Sequence, residues 1–159
     1  MSLRKIDSAL QMEEACCAFF AQFLESLPVS VVLLRGEPGA GKTTFCRGFM
    51  RAMSIRENIN SPTFNLHNRY EGSRGVLHHY DLYRLQKVAE LEELGFLEDW
   101  HRVDHAPTVH AIEWGDRALP HIGPGVPVFL VEISIDEKDD SLRHIQFYRR
   151  QGEQLLSLH

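Results

Sequence analysis

At 159 residues, with 43% hydrophobic and 25% charged side chains, the chain has the length and balance of one globular domain with a full core. No apolar run approaches the ~20 residues of a membrane span, and Met1-Ser2-Leu3-Arg4-Lys5 is not followed by the uninterrupted apolar stretch of a secretory signal. A formal net charge of −5 leaves no basic footprint for autonomous nucleic-acid binding, and Cys16, Cys17 and Cys46 have the spacing of neither a disulfide framework nor a metal site. The expectation is a single cytoplasmic domain over residues 1–159.

Taken in order, the chain opens with a helix over Ser8–Leu24. Ser8 and Gln11 have capping-box spacing, and Met12, Ala15, Phe19 and Phe23 form one apolar face widened by Cys16, Phe20 and Leu24. Leu27-Pro28 ends it. Val29–Leu34 is an apolar strand, and Gly36-Glu37-Pro38-Gly39-Ala40-Gly41-Lys42-Thr43-Thr44 follows. Gly36, four residues, Gly41, Lys42 and Thr43 fit the phosphate-binding loop. Glycines let such a loop curl so that main-chain N–H groups point inward at phosphate oxygens, and the next helix turns its positive end to the same anion. In that arrangement Lys42 reaches the β- and γ-phosphates and the Thr43 hydroxyl ligates Mg²⁺. The helix from Lys42 is expected to reach about Met53, with Phe45, Phe49, Ala52 and Met53 inward.

Thr63–Tyr70 and Val76–Asp81 read as a hairpin closed by the turn Glu71–Gly75, and Val88–Leu97 as a short helix. Thr108–Glu113 is a further strand. Pro120, Gly123, Pro124, Gly125 and Pro127 mark a loop before the strand Val128–Ile135. A last strand, Arg143–Tyr148, follows the turn Glu137–Asp140, and the tail from Gln151 carries no signal. Arg143, His144, Arg149 and Arg150 are the candidate for a local basic patch, with a solvated face as the commoner account of such a cluster. The order implies an α/β fold of three layers, P-loop NTPase-like: a mostly parallel sheet with antiparallel hairpin strands and helices on both faces. The phosphate-loop strand and the Glu113 strand are expected as parallel neighbours or near-neighbours, with ligand bound beyond the carboxyl ends of the strands.

Two acids end strands there. Asp81 shares a strand face with His79, and Glu113 follows an apolar run as a Walker B carboxylate does. Each alone reads equally as an exposed terminating acid; beside a phosphate loop, both become candidates to serve Mg²⁺. Ser61-Pro62-Thr63 reads equally as a γ-phosphate sensor or a plain turn. Trp114 would stack on a base or a partner, or fill core. His78-His79 is no zinc pair, because adjacent strand residues face opposite ways.

Four blocks together resemble the TsaE (YjeE) family of bacterial ATPases: Gly36–Phe45, Ser61-Pro62-Thr63-Phe64, His79-Tyr80-Asp81-Leu82-Tyr83-Arg84-Leu85 and Ile112-Glu113-Trp114-Gly115-Asp116. The resemblance runs from the first helix to the Val128 strand and is weak beyond it. It implies ATP and Mg²⁺ as ligands, with Lys42 and the loop residues Gly36–Thr44 on the phosphates and Thr43 with Asp81 on the metal. It further implies Thr63 in a switch-like loop, Glu113 near the γ-phosphate and Trp114 close by. Glu37-Pro38 stands where the family more often has Asp-Leu. The implied role is ATP hydrolysis in threonylcarbamoyl-adenosine modification of tRNA, with TsaB and TsaD as partners through which tRNA is met. Arg84 is the best placed arginine for a finger in cis. Two other classes stay open, a small-molecule kinase and a nucleotide-dependent binding module with little turnover. A GTPase is disfavoured, since no Asn-Lys-x-Asp block occurs.

Overall fold

The structure is a computed structural model that describes residues 4–60, 62, 65–85, 87, 89–105 and 107–158. Eight strands form one sheet: β1 (Arg4–Ile6), β2 (Val29–Arg35), β3 (His67–Gly72), β4 (Gly75–Asp81), β5 (Thr108–Glu113), β6 (Val128–Ile135), β7 (Arg143–Gln151) and β8 (Gln154–Ser157). Their spatial order is β1-β7-β6-β2-β5-β4-β3, with β8 paired to β7. The four central strands β4, β5, β2 and β6 run parallel, and antiparallel strands flank them. The three-layer α/β expectation holds, and of the two placements left open for the phosphate-loop and Glu113 strands the structure has them as direct parallel neighbours.

Helices α1 (Ala9–Phe19) and α2 (Lys42–Ala52) cover one face, while α3 (Ala89–Glu93) and α4 (Phe96–Asp99) lie over the other. Alternation in β2 makes the division. Val32 and Leu34 join the core under α1 and α2, whereas Val31 and Leu33 join the one that holds Phe96 and Trp100. Such burial on both faces is why β2 reads as a continuous apolar run. In the first core Phe19 stacks on Phe147 at 4.9 Å and meets Phe129 edge-on at 5.5 Å.

Several boundaries differ from the sequence expectation. Ser8 caps α1, its Oγ accepting from the Gln11 N–H at 3.3 Å, but the Gln11 side chain accepts from Asp7 N–H rather than closing the box on Ser8. The last turn, Phe20–Leu24, is a π-helix. The third strand spans His67–Gly72, and Leu66, at φ 61°, turns the chain just before it. The hairpin turn narrows to Ser73-Arg74. Val88–Leu97 is two helices, broken where Gly95 takes φ 72°. Two strands were without sequence signal: β1, three residues held by pairing with β7, and β8, whose side chains are mostly exposed. Ser61, Thr63, Phe64 and Val88 lie outside the described residues.

The basic stretch of β7 is less solvated than expected. Arg150 donates to the carbonyls of Ile122, Gly123 and Val126, pinning the proline-rich loop, and burial lowers its pKa. Arg143 reaches Gly39 O at 3.4 Å, and the Arg149 guanidinium lies 5.7 Å from the centre of the Phe129 ring.

Candidate active site

Sheet register brings the chemistry together. Leu34, Glu113 and Asp81 sit side by side where β2, β5 and β4 end. The chain leaves β2 through a loop that only glycine can make at two points. A Cβ on Gly36 would lie 2.5 Å from the Ile133 carbonyl oxygen, and Gly41, the N-cap of α2, holds φ 108°. The loop and the strand ends enclose a cavity of about 410 Å³. Pro38, Gly39 and Gly41–Thr44 line one side, and Asp81, Tyr83, Glu113 and Trp114 line the other.

Lys42 is buried and its Nζ donates to the carbonyls of Gly36 at 2.8 Å and Glu37 at 3.0 Å. The same ammonium lies 4.4 Å from the centre of the Trp114 ring. Burial lowers its pKa, and the charges of Glu113 and Asp81 push back. Thr43 donates its hydroxyl proton to Glu113 Oε1 at 2.8 Å, and His79 Nε2 lies 2.8 Å from the same oxygen. Asp81 accepts from Tyr83 N–H at 3.0 Å. Trp114 holds φ 60°, an unfavourable conformation for a bulky residue, while its N–H continues the sheet by donating to Leu34 O at 3.2 Å. Tyr83, 63% exposed, meets its ring at 5.0 Å.

Of the residues singled out in the sequence, Pro38, Gly39, Lys42, Thr43, Thr44, Asp81, Glu113 and Trp114 thus converge on one cavity. Gly36 and Glu37 stand behind it as the acceptors for Lys42, and Ala40 is buried beneath the loop. Thr63 lies outside the described residues. Arg84 is exposed and does not line the cavity. His79, noted for sharing a face with Asp81 and for opening the His79–Leu85 block, was given no role; its bond to Glu113 makes it part of the site. Tyr83 gave no signal of its own beyond its place in the Asp-Leu-Tyr-Arg block.

The donor set suits a nucleotide triphosphate with its cation. Thr43 spends its proton on Glu113, which leaves the oxygen lone pairs for a metal. Asp81 and Glu113 add hard anionic oxygens of the kind Mg²⁺ takes. Lys42 gives its protons to backbone carbonyls, bonds it can exchange for phosphate oxygens. Among the described residues no helix is long and apolar enough to cross a membrane.

Comparison with known proteins agrees with this geometry. The family model described as "Threonylcarbamoyl adenosine biosynthesis protein TsaE" matches residues 9–145. A Nostoc protein named tRNA threonylcarbamoyladenosine biosynthesis protein TsaE is 46% identical over 88 residues, 55% of this chain and 54% of that protein. The Haemophilus influenzae protein of the same name is 34% identical, over 77% of this chain and 74% of its own length. That of Rickettsia bellii is 33% identical over 90% and 94%. The chain spans 54% to 64% of the length of several such relatives. Among solved structures, Bacillus subtilus YdiB superposes with a TM-score of 0.67 at 25% identity, covering 92% of this chain and 83% of that one. A family match extending from residue 9 to residue 145, with one relative covered almost end to end, gives the kinship: the chain belongs to the TsaE family.

Proposed function

We propose that the chain is a Mg²⁺-dependent ATP hydrolase that works in the cytoplasm in threonylcarbamoyl-adenosine modification of tRNA. TsaB and TsaD are its partners, tRNA is met through them, and hydrolysis resets or drives that complex. The observation that carries the catalytic part is the linked set Lys42, Thr43 and Glu113 at one end of the cavity.

In this reading the curled amides of Gly36–Gly41 and the first N–H groups of α2 receive the phosphate oxygens. Lys42 leaves the Gly36 and Glu37 carbonyls for the β- and γ-phosphates. Thr43, its proton held by Glu113, and Asp81 would hold Mg²⁺. When bound, that ion supplies positive charge against the phosphoryl oxygens. Glu113 Oε1 is engaged by Thr43 and His79, so Oε2 is the atom that orients the attacking water and accepts its proton. Trp114 and Tyr83 form the outer wall.

A small-molecule kinase is the weaker reading. Leu119–His121 is a 3₁₀ turn, and Arg117 just before it donates to the Leu85 carbonyl, so no free arginine-bearing lid is offered by this segment. The test is calorimetry of the folded chain with Mg-ATP, coupled to phosphate release. Wild type should bind and turn over. Lys42→Ala should bind at least tenfold more weakly with unchanged circular dichroism. Glu113→Gln should still bind while hydrolysing at least a hundredfold more slowly, within the range of a lost general base. Binding without any hydrolysis would leave a nucleotide-dependent binding module. No heat of binding at millimolar Mg-ATP would end the nucleotide reading.

A further inference from the structure

A second donor set converges behind the phosphate loop. Cys46 lies on α2 one turn beyond Thr43, His79 lies on β4 two residues before Asp81, and Glu113 ends β5. A sulfur, a ring nitrogen and a carboxylate oxygen from these three residues lie within 4.8 Å of one another, and all three residues are buried. Cys46 and His79 are wholly so. Among the described residues the buried His79 Nδ1 has no hydrogen-bond partner, while the set itself is joined through the other ring nitrogen, Nε2, which lies 2.8 Å from Glu113 Oε1.

We propose that Cys46, His79 and Glu113 form a binding site for a borderline-soft divalent transition ion of the Zn²⁺ class. Thiolate and imidazole select such ions, whereas Mg²⁺ takes oxygen donors and water. An ion centred among atoms this close lies within about 2.8 Å of each, so inward shifts of less than about 1 Å reach bonding distances of ~2.0–2.3 Å. Three protein ligands leave a fourth position open, and Glu113, which also lines the nucleotide cavity, provides the way in. Burial, and then the charge of Glu113, push the Cys46 thiol well up, so the thiol proton leaves to solvent as the sulfur–metal bond forms. Such an ion takes the carboxylate to which Thr43 donates. Its occupancy therefore opposes hydrolysis; that consequence rests on the ATPase reading, while the binding itself does not.

Co²⁺ is the probe. Added to the metal-free, folded full chain under a non-coordinating reductant, it should give a thiolate-to-Co²⁺ charge-transfer band that saturates at one ion per chain and is abolished by Zn²⁺. Cys46→Ser should lose the band, Cys17→Ser should keep it, and His79→Gln should need at least tenfold more Co²⁺. No band in the wild type up to millimolar Co²⁺, or a band that survives Cys46→Ser, overturns the proposal. The wild-type spectrum decides even where a variant fails to fold. Calorimetry with Mg-ATP on the same sample reports on the nucleotide reading independently.

Discussion

His67, His78 and His110 form a stacked column on the face opposite α1 and α2, with His78 and His110 rings 4.7 Å apart and His67 resting on Tyr80 at 4.3 Å. Their bonds fix their protons. His110 Nε2 faces the Arg102 carbonyl, which can only accept, so its Nδ1 is bare and accepts from the Tyr80 hydroxyl. His78 Nε2 donates to Asp104 at 2.8 Å, which leaves Nδ1 to accept from His67 Nε2 at 2.9 Å. All these bonds are satisfied with every ring neutral, and in that arrangement a second proton on His78 would face the His67 donor. Burial, then the neighbouring rings, lower His67 to about 4 and His110 to about 3. Burial likewise lowers His78. Burial pushes the Asp104 carboxyl up, but hydrogen bonds from Arg69 and His78 outweigh it and hold the carboxyl well below its usual range. Below pH 6.5 the unfolded chain takes up protons that the folded column refuses. The column's contribution is therefore complete above pH 6.5 and is lost as pH falls toward 4 and 3. Thermal unfolding followed from pH 8 to 5 should show a Tm that is flat above 6.5 and falls below it, before most carboxylates titrate. Each ring contributes at most roughly 1.4 kcal/mol per pH unit to that slope, and His110→Gln should make it shallower. None of this was legible in the sequence, where His78 and His79 read only as neighbours pointing apart. That much was right: His78 joins the column and His79 the site, on opposite faces of β4.

The contact of α1 with α2 shows how far the elements themselves were legible. Their helical periods, the Ser8 cap and the inward residues Phe45, Phe49 and Met53 were readable because local rules specify them. Gly48 was not, since its meaning depends on the partner helix. A Cβ there would lie 2.3 Å from Cys16 Cβ and 2.5 Å from the Glu13 carbonyl oxygen. Cys17 Sγ donates to the Gly48 carbonyl across the same crossing at 3.3 Å. Gly48→Ala gains up to ~1 kcal/mol of helix propensity, yet it inserts a methyl where backbone and a buried thiol already meet. Overpacking of this kind costs about 1–3 kcal/mol, more where backbone must move, so the variant should unfold at lower denaturant concentration than wild type. An unchanged or higher midpoint would mean that the helices separate freely. The same dependence on partners hid β1 and β8, whose short polar sequences become strands only against β7. It also hid the break in Val88–Leu97, where the leucine period continued through a left-handed Gly95.

At the scale of the whole molecule, the candidate site is a product of sheet order. Thr43 and Glu113 stand 70 residues apart in sequence and meet because β5 pairs directly with β2. The strand-end acids were legible because an apolar run followed by a carboxylate is a local pattern. The sharing of Glu113 Oε1 by Thr43 and His79 was not, because register is a property of three strands together. This arrangement brings a hydroxyl, an ammonium and a carboxylate to one cavity, but among the described residues no arginine lines it. On the proposed reading, charge that develops on the phosphoryl oxygens is then met by Lys42, the loop amides and the bound cation, with no arginine beside them. In related phosphoryl-transfer systems, an arginine supplied by a second protein accelerates hydrolysis by ~10³–10⁵. The open rim is where such a protein would arrive: Tyr83 is largely exposed beside Trp114, and both edge the cavity. On the proposed reading, the isolated chain should hydrolyse Mg-ATP slowly, and adding the TsaB–TsaD complex should raise turnover by at least tenfold. Tyr83→Ala should reduce that stimulation by a larger factor than it reduces the basal rate. Phosphate-release assays with and without the complex measure both effects. Brisk hydrolysis that ignores the partners would show that the site is complete in cis, and the rim would then have to be read as a wall for the nucleotide alone.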